Sequence, residues 1–205
     1  VEGSRLRAAV WSVPPVLRGR RDLVREATAR LEADGIVGLR GAPGTGRSTL
    51  ALQIAEAASR PWTRTGGLAT FGSRPLALLR LGVQPGVDPG QLAARLDGTV
   101  LVVDDVDLVD EASWSVLGAL VGRVPLVLVE RSGIPSSRLP TRDGVIEVDP
   151  IGDIDARELI GASGTELPEH ARAEVISLAG GRTDRLVDLA SGDLVDRWLA
   201  TPLSL

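Results

Sequence analysis

The run Gly41-Ala42-Pro43-Gly44-Thr45-Gly46-Arg47-Ser48-Thr49 constrains this chain more than any other stretch of it. Three glycines and a proline so close together allow a tight backbone turn whose N–H groups face inward, a nest for an anion. The flanks give the run its meaning. An aliphatic segment, residues 36–39 (IVGL), leads straight into it. Residues 48–59 follow with Leu50, Ile54, Ala57 and Ala58 on one helical stripe. A strand, a glycine turn and a helix N-terminus together cradle phosphate groups, because amides and helix dipole point the same way.

The spacing fits G-x-x-x-x-G-[K]-[ST], the phosphate-binding P-loop, everywhere except the lysine. Gly41, Ala42, Pro43, Gly44, Thr45, Gly46, Arg47, Ser48 and Thr49 are therefore the expected nucleotide-binding residues. The Ser48 hydroxyl is an expected Mg²⁺ ligand, and the basic side chain at 47 is expected to reach the outer phosphates. Arg47 carries the charge as a broad planar fork where the pattern has a compact ammonium. All 23 basic residues are Arg and the chain has no Lys, which reads as coding bias in a GC-rich genome. Two readings stand side by side: a degenerate site, or Lys-to-Arg drift with phosphate contact kept. We favour the second for binding, whereas hydrolysis depends on transition-state geometry as well as charge.

Residues 100–105 (VLVVDD) supply a partner for the loop. An aliphatic strand ending in two acids is the Walker B pattern. Asp104 is the expected metal-holding carboxylate, and Asp105 the expected catalytic residue that polarises water or senses the γ-phosphate. The interval between loop and acids admits one intervening β-α unit.

Composition agrees. Hydrophobic residues make up 43% and charged residues 24%, as in a globular protein, while aromatics are only 2%. An aliphatic core of that kind suits a parallel sheet covered by helices. No apolar stretch is long enough to cross a bilayer. Cysteine is absent, which excludes disulfides and thiolate metal sites and fits a reducing cytoplasm. A net charge of −4 and a pI near 5.1 argue against direct nucleic-acid contact. The missing initiator Met suggests a fragment of a longer protein.

Along the chain, residues 1–16 read as an irregular lead-in and 22–31 as a helix broken at Asp34-Gly35. Strands are expected at 36–39, 67–71, 99–103, 125–129 and 145–148. Helices are expected at 48–59, 75–81 (or a turn there), 91–96 and 113–121, with a loop over 82–90. After Asp149-Pro150 come only helices: 154–163, 168–179, 183–190 and 193–200. The expected organisation is an α/β core over 17–149 and an α-helical lid over 150–205.

These motifs resemble the STAND branch of AAA-related P-loop ATPases, as found in large bacterial LuxR-family regulators. Residues 17–23 (LRGRRDL) are similar to that family's opening motif, and residues 104–113 (DDVDLVDEAS) to its extended acidic segment. Residues 127–131 (VLVER) are similar to its next strand, which ends in a polar sensor; that implies a role for Arg131, with Glu130 the alternative. Residues 179–183 (AGGRT) are similar to its lid motif, with Thr183 where the family has Pro. The resemblance implies an ATP- and Mg²⁺-dependent switch that exchanges ATP and ADP, self-associates, and acts on attached effector domains. Slow hydrolysis at best is expected. An active AAA-type ATPase and a nucleotide-free interaction scaffold are the rival readings. Among the remaining residues, His170 is expected on the surface and Arg185 is a candidate second sensor. Asp107 and Asp110 are expected to solvate a turn and cap the next helix, Ser113 is another N-cap candidate, and Trp198 belongs to a core stripe.

Overall fold

The computed structural model describes residues 17–67, 76–84, 86–134, 137–139, 144–162 and 166–190. The lead-in over 1–16, most of the strand expected at 67–71 and the helix expected at 193–200, with Trp198, lie outside the described residues.

Five strands, β1 (Ile36–Gly41), β2 (Trp62–Gly66), β3 (Val100–Asp104), β4 (Leu126–Arg131) and β5 (Val145–Val148), form one parallel sheet in the order β2-β3-β4-β1-β5. Strands β3 and β4, and most of β1, are the aliphatic runs that a doubly covered parallel sheet demands, while the edge strand β5 carries an exposed Glu147. Strand β4 lies between β1 and β3, so the ends of β1, β4 and β3 form adjacent corners of one crevice. That is where open α/β sheets place their ligands.

Strict alternation splits the core in two. Val37, Leu39, Val100, Val102, Val127 and Val129 face one way, against α1 (Arg21–Asp34) and α2 (Arg47–Ala57). Leu101, Val103, Leu126 and Leu128 face the other, against α3 (Leu76–Arg80), α4 (Pro89–Arg95) and α5 (Glu111–Gly118). A third cluster, around Ile160, Val175 and Leu186, is built by α6 (Asp153–Ala162), α7 (Glu169–Ala179) and α8 (Thr183–Ala190). These helices are tied back to the start of the core. The backbone N–H of Gly19 donates to the Asp155 carboxylate at 2.7 Å, and that of Arg18 to Glu158 at 3.0 Å.

Two expectations, on Ser113 and Asp107, need correction, and one strand is unforeseen: β2 is Trp62–Gly66, ahead of the stretch expected at 67–71. It is an edge strand, so one side of its ladder is unpaired in the sheet, and its sequence WTRTG is mostly polar instead of running aliphatic. Helix α5 starts at Glu111, and its N-cap is Asp110, which accepts from the Ser113 N–H at 2.8 Å. Ser113 is thus inside the first turn and fully buried, while Asp110 caps as expected. The Asp107 side chain is only 5% exposed and is paired instead of solvating a turn, as described below.

Candidate functional site: the loop after β1 and the acidic end of β3

Gly41 closes β1, and Ala42 to Gly46 form the loop. Its crest is a type II turn. The Thr45 N–H reaches the Ala42 carbonyl at 3.3 Å, Pro43 sits at the second position, and Gly44 at the third has φ +82°. Gly46, at φ +85°, then sets the direction of α2. Both glycines hold left-handed conformations that a side chain resists. No side chain caps the N-terminus of α2, so the first-turn amides of Arg47, Ser48 and Thr49 have no intrahelical acceptor. A helix start in this condition suits an anion.

Arg47 does not project into open solvent. It is 8% exposed, and its Nη1 donates to the Glu130 backbone carbonyl at the end of β4, at 2.5 Å. Asp104 closes β3 and is likewise buried. Its Oδ2 is bonded by Arg64 of β2, and its Oδ1 accepts from the Asp105 N–H at 3.1 Å. Asp105 follows at φ +45°. Arg131 grips Asp107 through Nε at 2.7 Å and Nη2 at 2.5 Å. Glu130 is fully buried and faces away from that pair. It accepts from Arg40, Ser137 and the Arg138 backbone N–H. Of the two alternatives at the end of β4, Arg131 therefore shares the α2 face with Asp104, by strand alternation, and Glu130 does not.

The loop and the acids act on each other electrostatically. Burial, then the neighbouring Asp104, hold the Asp105 carboxyl above the usual carboxylate range, while Arg47 pulls it back and Arg131 more weakly. The folded chain therefore keeps this proton to higher pH than the unfolded chain. As pH rises from the ordinary carboxylate value through the raised one, ionisation of Asp105 costs the folded state, and stability from this group falls. Asp105→Asn removes that cost, and Asn tolerates positive φ. The variant should melt about 1–3 °C above the parent near neutral pH, an advantage kept small by partial solvation and shrinking in mild acid. Identical melting at neutral pH would contradict this.

A cavity of about 570 Å³ opens beside the loop. One wall is Gly44 to Leu50. The opposite wall mixes the aliphatic Leu17, Ile151, Leu159 and Val187 with the charged Arg20, Asp184 and Asp188. The helical layer touches the loop itself: the Thr183 N–H and hydroxyl both donate to the Gly44 carbonyl, at 2.7 and 2.8 Å. The loop end of the cavity, with amides and a cation, suits a charged tail, and the aliphatic part of the far wall suits a planar group. For magnesium, the donor set fits: a Ser48 hydroxyl and two carboxylates are hard oxygen ligands. Among the described residues no group of three or more His, Asp or Glu forms a metal cage, so such an ion would fill the rest of its shell with water or phosphate oxygens.

The loop, Asp104 and Asp105, expected in one site, stand at the ends of β1 and β3 on either side of β4, and His170 is exposed as expected. Arg185 is exposed on α8. What sequence reasoning missed is Arg64, which stands between two threonines with no periodicity to mark it.

No protein-family model matches the chain, and no curated protein matches it. Solved structures do. The chain is similar to the Thermotoga maritima RuvB Holliday junction branch migration motor, at 22% identity and TM-score 0.56, over 86% of this chain and 64% of that one. A point variant of the same RuvB matches at 23% and 0.58, over 88% and 64%. Caenorhabditis elegans PCH-2 matches at 12% and 0.53, over 88% and 62%. The chain thus spans less than two thirds of each. Likenesses at these identities establish the fold alone, the α/β fold of P-loop NTPases. No helix among the described residues is long and apolar enough to cross a membrane.

Proposed function

We propose that this chain is an ATP-binding switch domain, STAND-like, belonging to a larger bacterial regulator of the LuxR type and hydrolysing ATP slowly at best. One observation carries the reading. The helical layer is hydrogen-bonded through Thr183 to the crest of the loop that would hold the phosphates, with the cavity between them. A nucleotide entering that cavity contacts both walls, so ATP and ADP would bias the two layers differently.

In this proposal Gly41 to Thr49 cradle the phosphates through backbone amides, and Arg47 supplies the cation. Ser48 and Asp104 hold Mg²⁺, whose bound form screens phosphate charge. Asp105 orients the attacking water, and Arg131 senses the outer phosphate. Effector domains, self-association on ATP binding, a cytoplasmic setting and no direct nucleic-acid contact complete it. Residues 17–149 act as the core and 150–205 as the lid. An active AAA-type ATPase is the second reading, favoured by the likeness to a motor. Fast steady-state turnover would select it.

The test is hydrogen exchange of the loop and α8 with ATP, with ADP and without nucleotide. The switch reading expects ATP and ADP to give different protection in α8; the same pattern with both contradicts it. The latch itself gives a further expectation. Thr183→Pro removes both donors yet suits the first position of a helix. With about 2 kcal/mol of hydrogen bonding lost, nucleotide-free exchange in α8 should accelerate roughly tenfold or more. Unchanged exchange would show that the contact holds nothing.

A further inference from the structure

The edge strand β2 delivers a cation to the end of β3. Arg64 stands opposite Val102, and Gly66 stands opposite Asp104. Alternation puts Arg64, Gly66 and Asp104 on one face of the sheet, the face covered by α2. The Arg64 side chain runs forward past Gly66, and the strands are so close there that a Cβ on Gly66 would lie 2.5 Å from the Asp104 carbonyl. The guanidinium ends on Asp104 Oδ2. The Asp104 side chain is only 7% exposed and that of Arg64 31%. A carboxylate buried this far, beside the second carboxylate of Asp105, needs a compensating positive charge.

We propose that Arg64 is the resident counter-ion of Asp104, neutralising it when no metal is bound and competing with a divalent cation for the same oxygen. The proposal rests on the nucleotide reading only in taking Asp104 as the metal's carboxylate. It makes Arg64 a positioning residue that weakens the chain's dependence on metal. Arg64 and Arg47 then divide the positive charge of the site: one guanidinium serves the acids, the other the loop.

The test is thermal melting in EDTA and in millimolar Mn²⁺, with no nucleotide, for the parent, Arg64→Gln, Arg64→Lys and Arg64→Gln/Asp104→Asn. The parent and Arg64→Lys should melt alike in both buffers. Arg64→Gln should melt roughly 5 °C lower in EDTA, because one partner of a largely buried pair is gone, and recover at least half of that in Mn²⁺. The double variant should regain stability in EDTA and ignore the metal. Equal responses of the parent and Arg64→Gln to Mn²⁺ would overturn the proposal. Should Arg64→Gln not fold in EDTA, a folded double variant supports charge compensation, and an unfolded one overturns it. Because nucleotide is absent throughout, failure of ATP to bind and failure of this proposal are separate results.

Discussion

Glu130→Ala should lower the stability of this chain by about 2–4 kcal/mol and its melting temperature by about 6–12 °C. Glu130 is 0% exposed and stands in register opposite Arg40 on β1. It accepts from Arg40 Nε at 3.2 Å and Nη2 at 3.1 Å, from the Ser137 hydroxyl at 2.8 Å and from the Arg138 N–H at 2.8 Å. One carboxylate thus joins β1 to β4 and anchors residues 137 and 138. Truncation leaves Arg40 with Ser137 and the exposed Glu147, 3.5 Å away, and removes the acceptor of a backbone N–H. Arg40 is 27% exposed, so water relieves part of the loss, which sets the lower end of the range. Glu130→Gln keeps one acceptor and should cost about half as much. Chemical denaturation measures both. A loss under about 1 kcal/mol for the alanine variant would mean that the network is ornamental.

The second large effect concerns Arg47. Arg47→Ala should weaken ATP binding in Mg²⁺ about 10- to 100-fold, the worth of one or two charge-assisted contacts to phosphate. Arg47→Lys should bind within about threefold of the parent, or more tightly. In the nucleotide-free chain the guanidinium donates to the Glu130 carbonyl and must leave it to meet a phosphate. A lysine carries the same charge on a compact head that the loop encloses more readily. If both variants bind like the parent, position 47 takes no part in binding and the drift reading of this residue falls. If Arg47→Lys binds at least tenfold more weakly, the site is adapted to the guanidinium itself.

These expectations also mark what a sequence can and cannot carry. The turn at 42–46 and the acids at 104–105 are legible because their chemistry is local: glycine spacing fixes the backbone, and an aliphatic run fixes the strand. Strands β1, β3, β4 and β5 are legible for the same reason. Strand β2 is not, since Trp62–Gly66 is mostly polar and carries neither an aliphatic run nor a clean alternation. The pairings are invisible for a different reason. Arg47 meets the carbonyl of Glu130 across 83 residues, Thr183 meets Gly44 across 139, and Gly19 meets Asp155 across 136. No periodicity encodes them; only the strand order brings them together. Asp107 shows the cost. Read alone it is a turn residue, yet the return of β4 places Arg131 beside it and leaves its side chain only 5% exposed.

Calorimetric titration of ATP with Mg²⁺ into the parent chain, Arg47→Ala and Asp104→Ala tests the central claim most directly. Saturable binding by the parent, weakened at least tenfold in both variants, is the predicted result. No binding by the parent, or equal affinity in all three, would contradict nucleotide recognition at this loop.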